Sequence, residues 1–306
     1  MTATTPTTVP FAGSVSADDL RAGVRGRRRL INGLATAGLI GSFLVALIPL
    51  TLVIGYLFSK GLQMLSWEFL TTDIPRQARS IGPGMGPAVV GTIVITAAAA
   101  LMAIPLGILG AIYLSEFGGR GVLARLIRFM SDVMTGVPSI VMGLFIYTVW
   151  VERFQTQSGF AGSLALACLM LPIVLRTTDE MLKLVPNELR MGSLALGARS
   201  LKTSVSVVVP TALPGIVSGA MLAIARAAGE TAPVVFIIGI TYKSNWRLTG
   251  DNTTLSAQIF KNASQPFDGA QDRAWGAALT LVLLVFILTF IARFIASRFA
   301  LKDTST

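Results

Sequence analysis

Two residues of opposite charge, Arg226 and Glu230, lie four positions apart in an otherwise apolar segment. On an α-helix this spacing places both side chains on one face, where the charges partly neutralise each other. A guanidinium is a planar fork of N–H donors, which suits the oxygens of phosphate or sulfate. Ionisable residues within a membrane segment are costly, so they usually serve a function. The pair is a candidate anion contact on a transport path. The alternative is an ion pair that only locks helices together.

The small residues of the same segment indicate which way this pair faces. Gly215, Gly219 and Ala223 fall within about 80° of the two charges on a helix that turns 100° per residue. Helices approach each other closely along such stripes of small residues. The sequence therefore predicts that Arg226 and Glu230 face the helix bundle rather than lipid. Glu230 would keep the arginine from holding an anion too tightly.

Arg176 is a second candidate anion contact, and it closes a shorter apolar segment. Polar residues follow it as far as Glu180, so the arginine would lie at the mouth of a path. The alternative is an interfacial anchor, since long basic side chains extend toward water from the edge of a membrane. Asp132 stands at helical spacing from Arg125 and Arg128, and we interpret these three as an interfacial charge network.

The composition indicates that membrane helices must position these charges. Apolar residues make up 53% of the 306-residue chain and charged residues 13%, and the mean hydropathy is +0.71. A water-soluble fold cannot bury so large an apolar fraction. The net charge of +10 is interpreted as the basic bias of membrane loops rather than a nucleic-acid surface, because the basic residues lie between apolar runs. The chain has no histidine and a single cysteine, Cys168, which excludes a Ser-His-Asp triad, histidine-ligated zinc and an internal disulfide.

Six apolar segments are candidates for helices that cross a hydrocarbon core of about 30 Å. They cover residues 37–58, 87–114, 133–151, 160–175, 211–240 and 275–296. The prediction is an all-α integral membrane protein with six transmembrane helices. Pro105 is expected to kink the second segment. Pro138 and Ser139 are expected to unwind the third and to expose backbone N–H groups to a pathway.

The distribution of Lys and Arg predicts the orientation of these spans. Roughly twice as many lie on the side of the two termini as on the other side, which places both termini in the cytoplasm. Residues 1–30 are expected to form a mobile basic cytoplasmic tail, and residues 299–306 a cytoplasmic tail. The loop at 176–210 is then cytoplasmic, and the loop before the last span is external. Asn252 and Asn262 in that external loop match the glycosylation pattern, and we interpret both as chance matches.

The long cytoplasmic loop contains an amphipathic pattern of leucines and basic residues. It predicts a short helix from about Glu188 to Ser200, interrupted by Gly192 and Gly197. Such a helix can lie on the membrane surface or enter a groove on a partner protein, and the pattern alone leaves both open. The chain contains no phosphate-binding Walker A loop, so another chain would have to supply energy for uphill transport.

The same loop resembles the cytoplasmic signature of bacterial ABC importer permeases, the type I or MetI-like class. That signature is Glu-Ala-Ala, three residues, Gly, nine residues, then Ile-x-Leu-Pro. Here Met191-Gly192-Ser193 stand at Glu-Ala-Ala, Gly197 at the glycine, and residues 207–210 at the close, so Met191 replaces the acidic residue. The resemblance implies that the loop is a coupling helix that docks on an ATPase subunit. The residues it assigns to coupling are Glu188, Arg190, Met191, Gly192, Leu194, Ala195, Gly197 and Ala198.

Two further stretches resemble the phosphate-transporting members of this family. One runs from Leu171 to Leu182 and contains Arg-Thr-Thr-Asp-Glu-Met-Leu, and the other runs from Ala223 to Pro233 and contains Arg-Ala-Ala-Gly-Glu-Thr-Ala-Pro. Residues 111–116 and 136–143 are also similar. The resemblance implies a permease domain at 86–298, preceded at 31–85 by the first transmembrane helix and an external loop. It also implies a phosphate path along Arg226, Glu230, Thr231 and Arg176.

The resemblance further implies a bacterial inner-membrane complex. Its other members would be a second permease of the PstC type, two ATP-binding subunits of the PstB type and an external phosphate-binding protein of the PstS type. This chain would then be a transport subunit without a catalytic residue, metal or cofactor of its own.

Other cargoes and another class of transporter are the alternatives to this reading. The same fold could carry sulfate, molybdate or phosphonate, although an acceptor such as Glu230 favours phosphate, which can donate a hydrogen bond. An ion-coupled anion transporter is less favoured, because the Arg-x-x-Gly-Glu element has no second copy.

Overall fold

The computed structural model describes residues 26–80, 82–119 and 121–299, and within these ranges the chain is helical, with no β-strand. Most of the predicted N-terminal tail, including Arg21 and Arg25, lies outside the described residues, as do residues 300–306. Helix begins at Gly26, so the last five residues of the expected tail are already helical.

The first helix, α1, spans Gly26–Met64, and its stretch Leu30–Met64 is long and apolar enough to cross a membrane. The chain divides into two compact units, one ending at Tyr56 and the other beginning at Leu57. The first unit contains most of α1, including Pro49.

The second unit contains all the other helices, numbered here in chain order. They are α2 Trp67–Thr71, α3 Gly86–Ile112, α4 Val122–Gly136, α5 Ser139–Ile146, α6 Glu152–Phe154, α7 Gly159–Lys183, α8 Asn187–Ala195, α9 Ser200–Thr203, α10 Val209–Gly229, α11 Ala232–Val235, α12 Leu255–Ala263 and α13 Asp268–Phe299. Three π-helical turns continue α3, α5 and α9. They are Tyr113–Phe117, Tyr147–Val151 and Ser204–Val208.

The described chain contains five membrane-length helical segments, or six if one bent pair counts as a span. The five are Leu30–Met64, Gly86–Phe117, Gly159–Lys183, Ser200–Gly229 and Asp268–Ile291. The bent pair joins Val122–Gly136 to Ser139–Phe154 at 106°. The prediction of an all-α protein with several membrane-spanning helices is therefore confirmed.

Helix α7 lies at the centre of the second unit, packed between α3 and α10. Ile95 of α3, Met170 of α7 and Ala223 of α10 are fully buried in the core that these three helices share. Lipid tails are as apolar as such a core, so close packing rather than exclusion of water must hold the helices together.

The small residues of α10 provide that close packing. A Cβ at Gly215 would lie 2.4 Å from Sδ of Met181, and one at Gly219 would lie 2.3 Å from Oγ1 of Thr177. Residue numbers rise along α10 as they fall along α7, so the two helices are antiparallel. The stripe predicted from the sequence is therefore the face of α10 that packs on α7.

The third predicted span is interrupted in its first turns. Val137 is extended, with φ −74° and ψ 128°, and Pro138 precedes the new helix α5. Proline has no N–H and disfavours a helical residue before it, so α4 ends at Gly136. The predicted unwinding at Pro138 is confirmed, and the structure shows that it amounts to a change of direction.

The helix of the fourth predicted span is longer than expected, and the helix of the fifth ends earlier than expected. Helix α7 continues eight residues beyond the expected end because pairs at helical spacing, such as Arg176 with Glu180, support it through the polar stretch. Helix α10 ends at Gly229, whereas the prediction extended it to residue 240. Glu230 is extended, with φ −68° and ψ 126°, and the four-residue helix α11 follows.

The two asparagines that match the glycosylation pattern are buried. The amide of Asn252 donates to the carbonyl of Arg247 at 3.1 Å, and that of Asn262 donates to Oε1 of Gln258 at 3.0 Å. Both side chains hold the segment around α12 together. This agrees with their interpretation as chance matches.

Candidate functional site

The predicted pair of charges forms, although only one of the two residues is helical. Nε of Arg226 lies 3.4 Å from Oε1 of Glu230. Glu230 follows the last helical residue, and its backbone is fixed on both sides. Its N–H donates to the carbonyl of Ala227 at 3.2 Å, and its carbonyl accepts from Oγ of Ser256 at 3.0 Å. Helix α12 therefore positions the carboxylate that meets the arginine.

The two side chains differ in exposure. That of Glu230 is 18% exposed and that of Arg226 is 67% exposed. Ala223 and Ala227, on neighbouring positions of α10, are buried in the core. Arg226 thus projects from the edge of the packed face, and it enters a cavity rather than the core itself.

This cavity has a volume of about 340 Å³ and lies beside the break between α4 and α5. Its walls are the end of α4, the two residues of the break, the first residue of α5 and one face of α7. Its lining residues are Met134, Thr135, Gly136, Val137, Pro138, Ser139, Leu169, Pro172, Ile173 and Arg226. The cavity therefore joins the guanidinium to the unwound backbone at Val137 and Pro138 and to Ser139, the first residue of α5. The N–H groups of Val141 and Met142, further along α5, already donate to the carbonyl of Pro138.

A second interrupted helix lies next to this break. Gly143 of α5 packs on Pro233 of α11, where an added Cβ would come 2.5 Å from the proline Cα. Helix α11 begins two residues after Glu230. The breaks at residues 137–138 and 230–231 are thus held together by the contact between α5 and α11.

Along the helix axis, Arg226 of α10 lies level with the middle of the neighbouring helix α7. Gly219 faces Thr177, and Arg226 is seven residues further along α10, or about 10 Å. Because the helices are antiparallel, this corresponds to the level of Met170, and α7 spans Gly159–Lys183. The arginine is therefore far from both ends of the span.

Arg176 lies within α7 rather than at its end, and its partners are acidic. Nη1 is 3.8 Å from Oδ1 of Asp132, and Nε is 3.4 Å from Oε1 of Glu180. All three side chains are more than half exposed. The predicted pairing of Asp132 with Arg125 or Arg128 is replaced by this contact. Arg128 instead donates to the carbonyl of Leu114 at 3.1 Å.

The structure does not bring Arg176 and Thr231 into the cavity of Arg226. Arg176 lies one turn beyond Ile173 on the same face of α7, beside the cavity, and about 9 Å from Arg226 along the helix axis. Thr231 lines a different cavity of about 480 Å³, together with Phe260 of α12. Its carbonyl accepts from the N–H of Val234 at 3.2 Å and so starts α11.

The predicted cytoplasmic helix is α8, and it ends before the expected Ser200. Gly197 has φ +82°, a left-handed conformation that favours glycine. Its N–H donates to the carbonyl of Leu194 at 2.9 Å, and the N–H of Ala198 donates to that of Ser193 at 3.2 Å. These two bonds form a Schellman motif, which ends the helix. The glycine of the sequence signature is thus the residue that stops α8.

The predicted coupling residues divide between two faces of α8. One face is exposed and largely apolar, with Met191 65% exposed and Leu196 90% exposed just beyond the helix. Glu188, Gly192, Leu194, Ala195 and Gly197 are exposed as well, whereas Ala198 is half-buried. Arg190 is directed inward, since its side chain is only 19% exposed and its Nη2 lies 3.0 Å from Oε1 of Glu116.

Two further charged residues, Glu116 and Arg273, are largely buried, although no sequence motif pointed to a role for either of them. The side chain of Glu116 is 9% exposed. Its position just after the apolar run of α3 is the sequence feature that could have identified it. Arg273 is 1% exposed and donates to the carbonyls of Ser80 and Ala78 at 2.5 and 3.0 Å, so it anchors the segment before α3 on α13. Among the described residues, no three His, Cys, Asp or Glu side chains are placed to hold a metal ion.

Comparison with known proteins gives consistent matches. The family model for binding-protein-dependent transport system inner membrane components matches residues 103–301. The phosphate transport system permease protein PstA 1 of Mycobacterium tuberculosis (strain H37Rv) is 43% identical over 267 residues, which cover 85% of each chain. PstA of Haemophilus influenzae is 36% identical over 244 residues, or 80% of this chain and 86% of that one.

Solved structures match in fold. The MetNI methionine ABC transporter in an inward-facing conformation gives a TM-score of 0.58 at 17% identity, over 70% of this chain and 95% of its own. A bacterial alginate ABC transporter gives 0.61 at 14% identity, over 88% and 98%. The chain therefore belongs to the family of binding-protein-dependent transport system inner membrane components, multi-pass proteins of the bacterial plasma membrane, and within it to the PstA permease proteins of phosphate transport systems.

Proposed function

We propose that this chain is the permease subunit of an ATP-driven importer of inorganic phosphate, in which it forms half of the translocation path. The observation that carries the proposal is Arg226, an arginine at mid-depth that lines a cavity between two interrupted helices. The identity of 43% to a phosphate permease supports phosphate as the cargo.

The cavity offers a phosphate ion complementary groups. The contact of Glu230 is to Nε of Arg226, and we assign the two terminal amino groups of the guanidinium to the substrate oxygens. Ser139, the first residue of α5, offers its hydroxyl and its backbone N–H as further donors on the cavity wall. Phosphate carries a proton that it can donate to the Glu230 carboxylate, whereas sulfate carries none.

Arg176 is the next cation along the proposed path, toward the cytoplasmic end of α7. Its two carboxylate partners, Asp132 and Glu180, compete with an anion for the guanidinium, so that binding there is transient. Thr231 supports the path by starting α11 next to Glu230. Both termini lie in the cytoplasm in this proposal, as the basic bias of the loops predicts.

Helix α8 is the proposed contact with an ATP-binding subunit. Its exposed apolar residues, including Leu189 and Met191, match what a helix docking into a groove presents. ATP hydrolysis then belongs to PstB-type subunits. A PstC-type permease would supply the other half of the path, and a PstS-type protein would deliver phosphate from outside.

Uptake of labelled phosphate at micromolar concentration tests the proposal. Cells that lack the chain and other phosphate importers are complemented with wild type, Arg226→Gln or Arg153→Gln. Arg153 is an exposed arginine away from the cavity and serves as the matched control. We expect Arg226→Gln to lower uptake by at least about tenfold, since hydrogen bonds to charged groups contribute about 1.5–3 kcal/mol.

Three outcomes would contradict the proposal or a part of it. Uptake by Arg226→Gln equal to wild type would remove Arg226 from the path. Inhibition by excess sulfate, or normal phosphate uptake without the chain, would point to another oxyanion as the cargo.

A further inference from the structure

Glu116 and Arg190 form the most buried ion pair among the described residues. Their side chains are 9% and 19% exposed, and the joined atoms are 3.0 Å apart. The pairs of Arg176 with Asp132 and Glu180, by contrast, are more than half exposed at both partners. Water screens exposed pairs and leaves them weak, whereas a buried pair holds its geometry.

Arg190 also binds the end of α7. Its Nη2 donates to the carbonyl of Leu182 at 2.8 Å, and its Nη1 donates to that of Val185 at 2.5 Å. The carbonyl of Leu182 lies in the last turn of α7, where it also accepts from the N–H of Val185 at 3.3 Å, and the carbonyl of Val185 lies two residues beyond the helix. Carbonyls at this end of a helix carry partial negative charge, which attracts a guanidinium. One side chain of α8 thus caps α7 and reaches the acid beyond α3.

Glu116 connects two π-helical turns. It belongs to the turn Tyr113–Phe117 that continues α3, and its Oε2 lies 3.4 Å from Oγ of Ser204, whose hydroxyl is shared between this carboxylate and the carbonyl of Ser200 at 3.0 Å. Ser204 begins the π-helical turn that leads directly into α10. Such turns recur at functional sites, because they insert a residue without ending the helix. Glu116 therefore lies where α3, α8 and α10 meet.

We propose that Glu116 is a positioning residue that transmits movement of α8 to the membrane helices. This rests on the proposed function, in which the outer face of α8 docks on an ATP-binding subunit. A force on that face reaches the bundle through Arg190, because this side chain holds α7 and Glu116 together. From Glu116 this force acts on α3 directly and on α10 through Ser204. Arg226 lies at the far end of α10. Without the Glu116 carboxylate, a movement of α8 would no longer be transmitted to α3 and α10, the helices that position the path.

The experiment measures phosphate taken up per ATP hydrolysed, with the complete transporter in proteoliposomes. The variants are Glu116→Gln, Arg190→Lys and the control Arg153→Gln. Arg153 is exposed and takes no part in the contacts of Glu116 and Arg190. A residue needed only for folding would lower hydrolysis and uptake together, so the ratio separates the two roles.

We expect Glu116→Gln to keep the ATP-binding subunits and ATP hydrolysis while the ratio falls by about tenfold. Arg190→Lys keeps a cation and should retain part of the ratio, and Arg153→Gln should match wild type. If Glu116→Gln does not assemble, Glu116→Asp is measured in its place, because it keeps the charge and shortens the reach.

An unchanged ratio in the Glu116 variant, with a wild-type complex that couples, would overturn this inference alone. A wild-type complex that hydrolyses ATP without taking up phosphate would overturn the proposed function, and the inference with it.

Discussion

The contact between Arg226 and Glu230 joins one guanidinium nitrogen to one carboxylate oxygen at 3.4 Å. A bidentate pair would use both edges of the fork and compete fully with an anion. The single contact pairs the arginine, whose side chain is 67% exposed, and leaves room for a ligand. In the proposed function, the balance between pair and ligand would set how long phosphate stays.

Glu230→Gln tests this balance. The amide removes the competing charge, so we expect labelled phosphate to be retained longer by the purified complex and uptake to fall by about three- to tenfold. Glu152→Gln, at an exposed acid away from Arg226, is the control. Retention and uptake both equal to wild type would show that Glu230 has no such role.

For individual residues, the sequence predicted which side chains are charged and which pair locally, but it did not predict which contacts form between different helices. The spacing of Arg226 and Glu230 predicted their contact, and the contact forms even though the helix ends between them. The pattern could not reveal that Asp132 meets Arg176, because that contact joins α4 to α7. Glu116 was missed for the same reason, since its partner Arg190 is 74 residues away.

Helix ends, rather than helix interiors, build the functional parts of the second unit. The cavity that Arg226 enters is lined by the end of α4, the first residue of α5 and one face of α7, and Arg226 itself lies in the last turn of α10. Proline and glycine place these ends, as at Pro138 and Gly229. Interrupted helices at membrane depth are tolerated only where the protein buries them or where they line a cavity.

Gly197→Ala tests the role of one such end. A left-handed φ costs a non-glycine residue about 1–2 kcal/mol, so α8 would lose its defined end. We expect less ATP-binding subunit to co-purify with the Gly197→Ala permease. Asn tolerates this conformation better, so Gly197→Asn should bind close to the wild-type amount. Equal loss in both variants would mean that the side chain, not the backbone, disturbs docking.

The lengths of the apolar runs predicted how many membrane-length helices the chain has, but they did not predict where those helices end. A run ends where charges begin, but α7 continues through Arg176 and Asp179 because charges four apart support a helix. The opposite error occurred at 230–240, where apolar residues continue after the helix stops. There the tertiary contact of Gly143 with Pro233 decides the backbone, and no local pattern contains it.

The composition and the loop signature were sufficient to predict the class of the whole molecule, an importer permease with several membrane helices. Both can be read from the sequence without any tertiary contact.

The orientation of the chain in the membrane is predicted from the distribution of Lys and Arg, and cysteine labelling tests it. With Cys168 replaced by Ala, we expect an impermeant maleimide to label Ser264→Cys in intact spheroplasts. Ser200→Cys, next to α8, should react only after permeabilisation. The reverse pattern would invert the topology.

Helix α1 has 39 residues and is therefore about 58 Å long. Even at a tilt of about 40°, it extends well past a hydrocarbon layer of about 30 Å. Part of it must stand in the headgroup region or in water at any bilayer thickness. The last turns of α1 pack closely on α13, where a Cβ at Gly61 would lie 2.6 Å from Cβ of Leu279, so this end of the helix is fixed. A change in membrane thickness is then met at the other end, where residues enter or leave the apolar layer, and α1 should tolerate hydrophobic mismatch that would strain a span of minimal length.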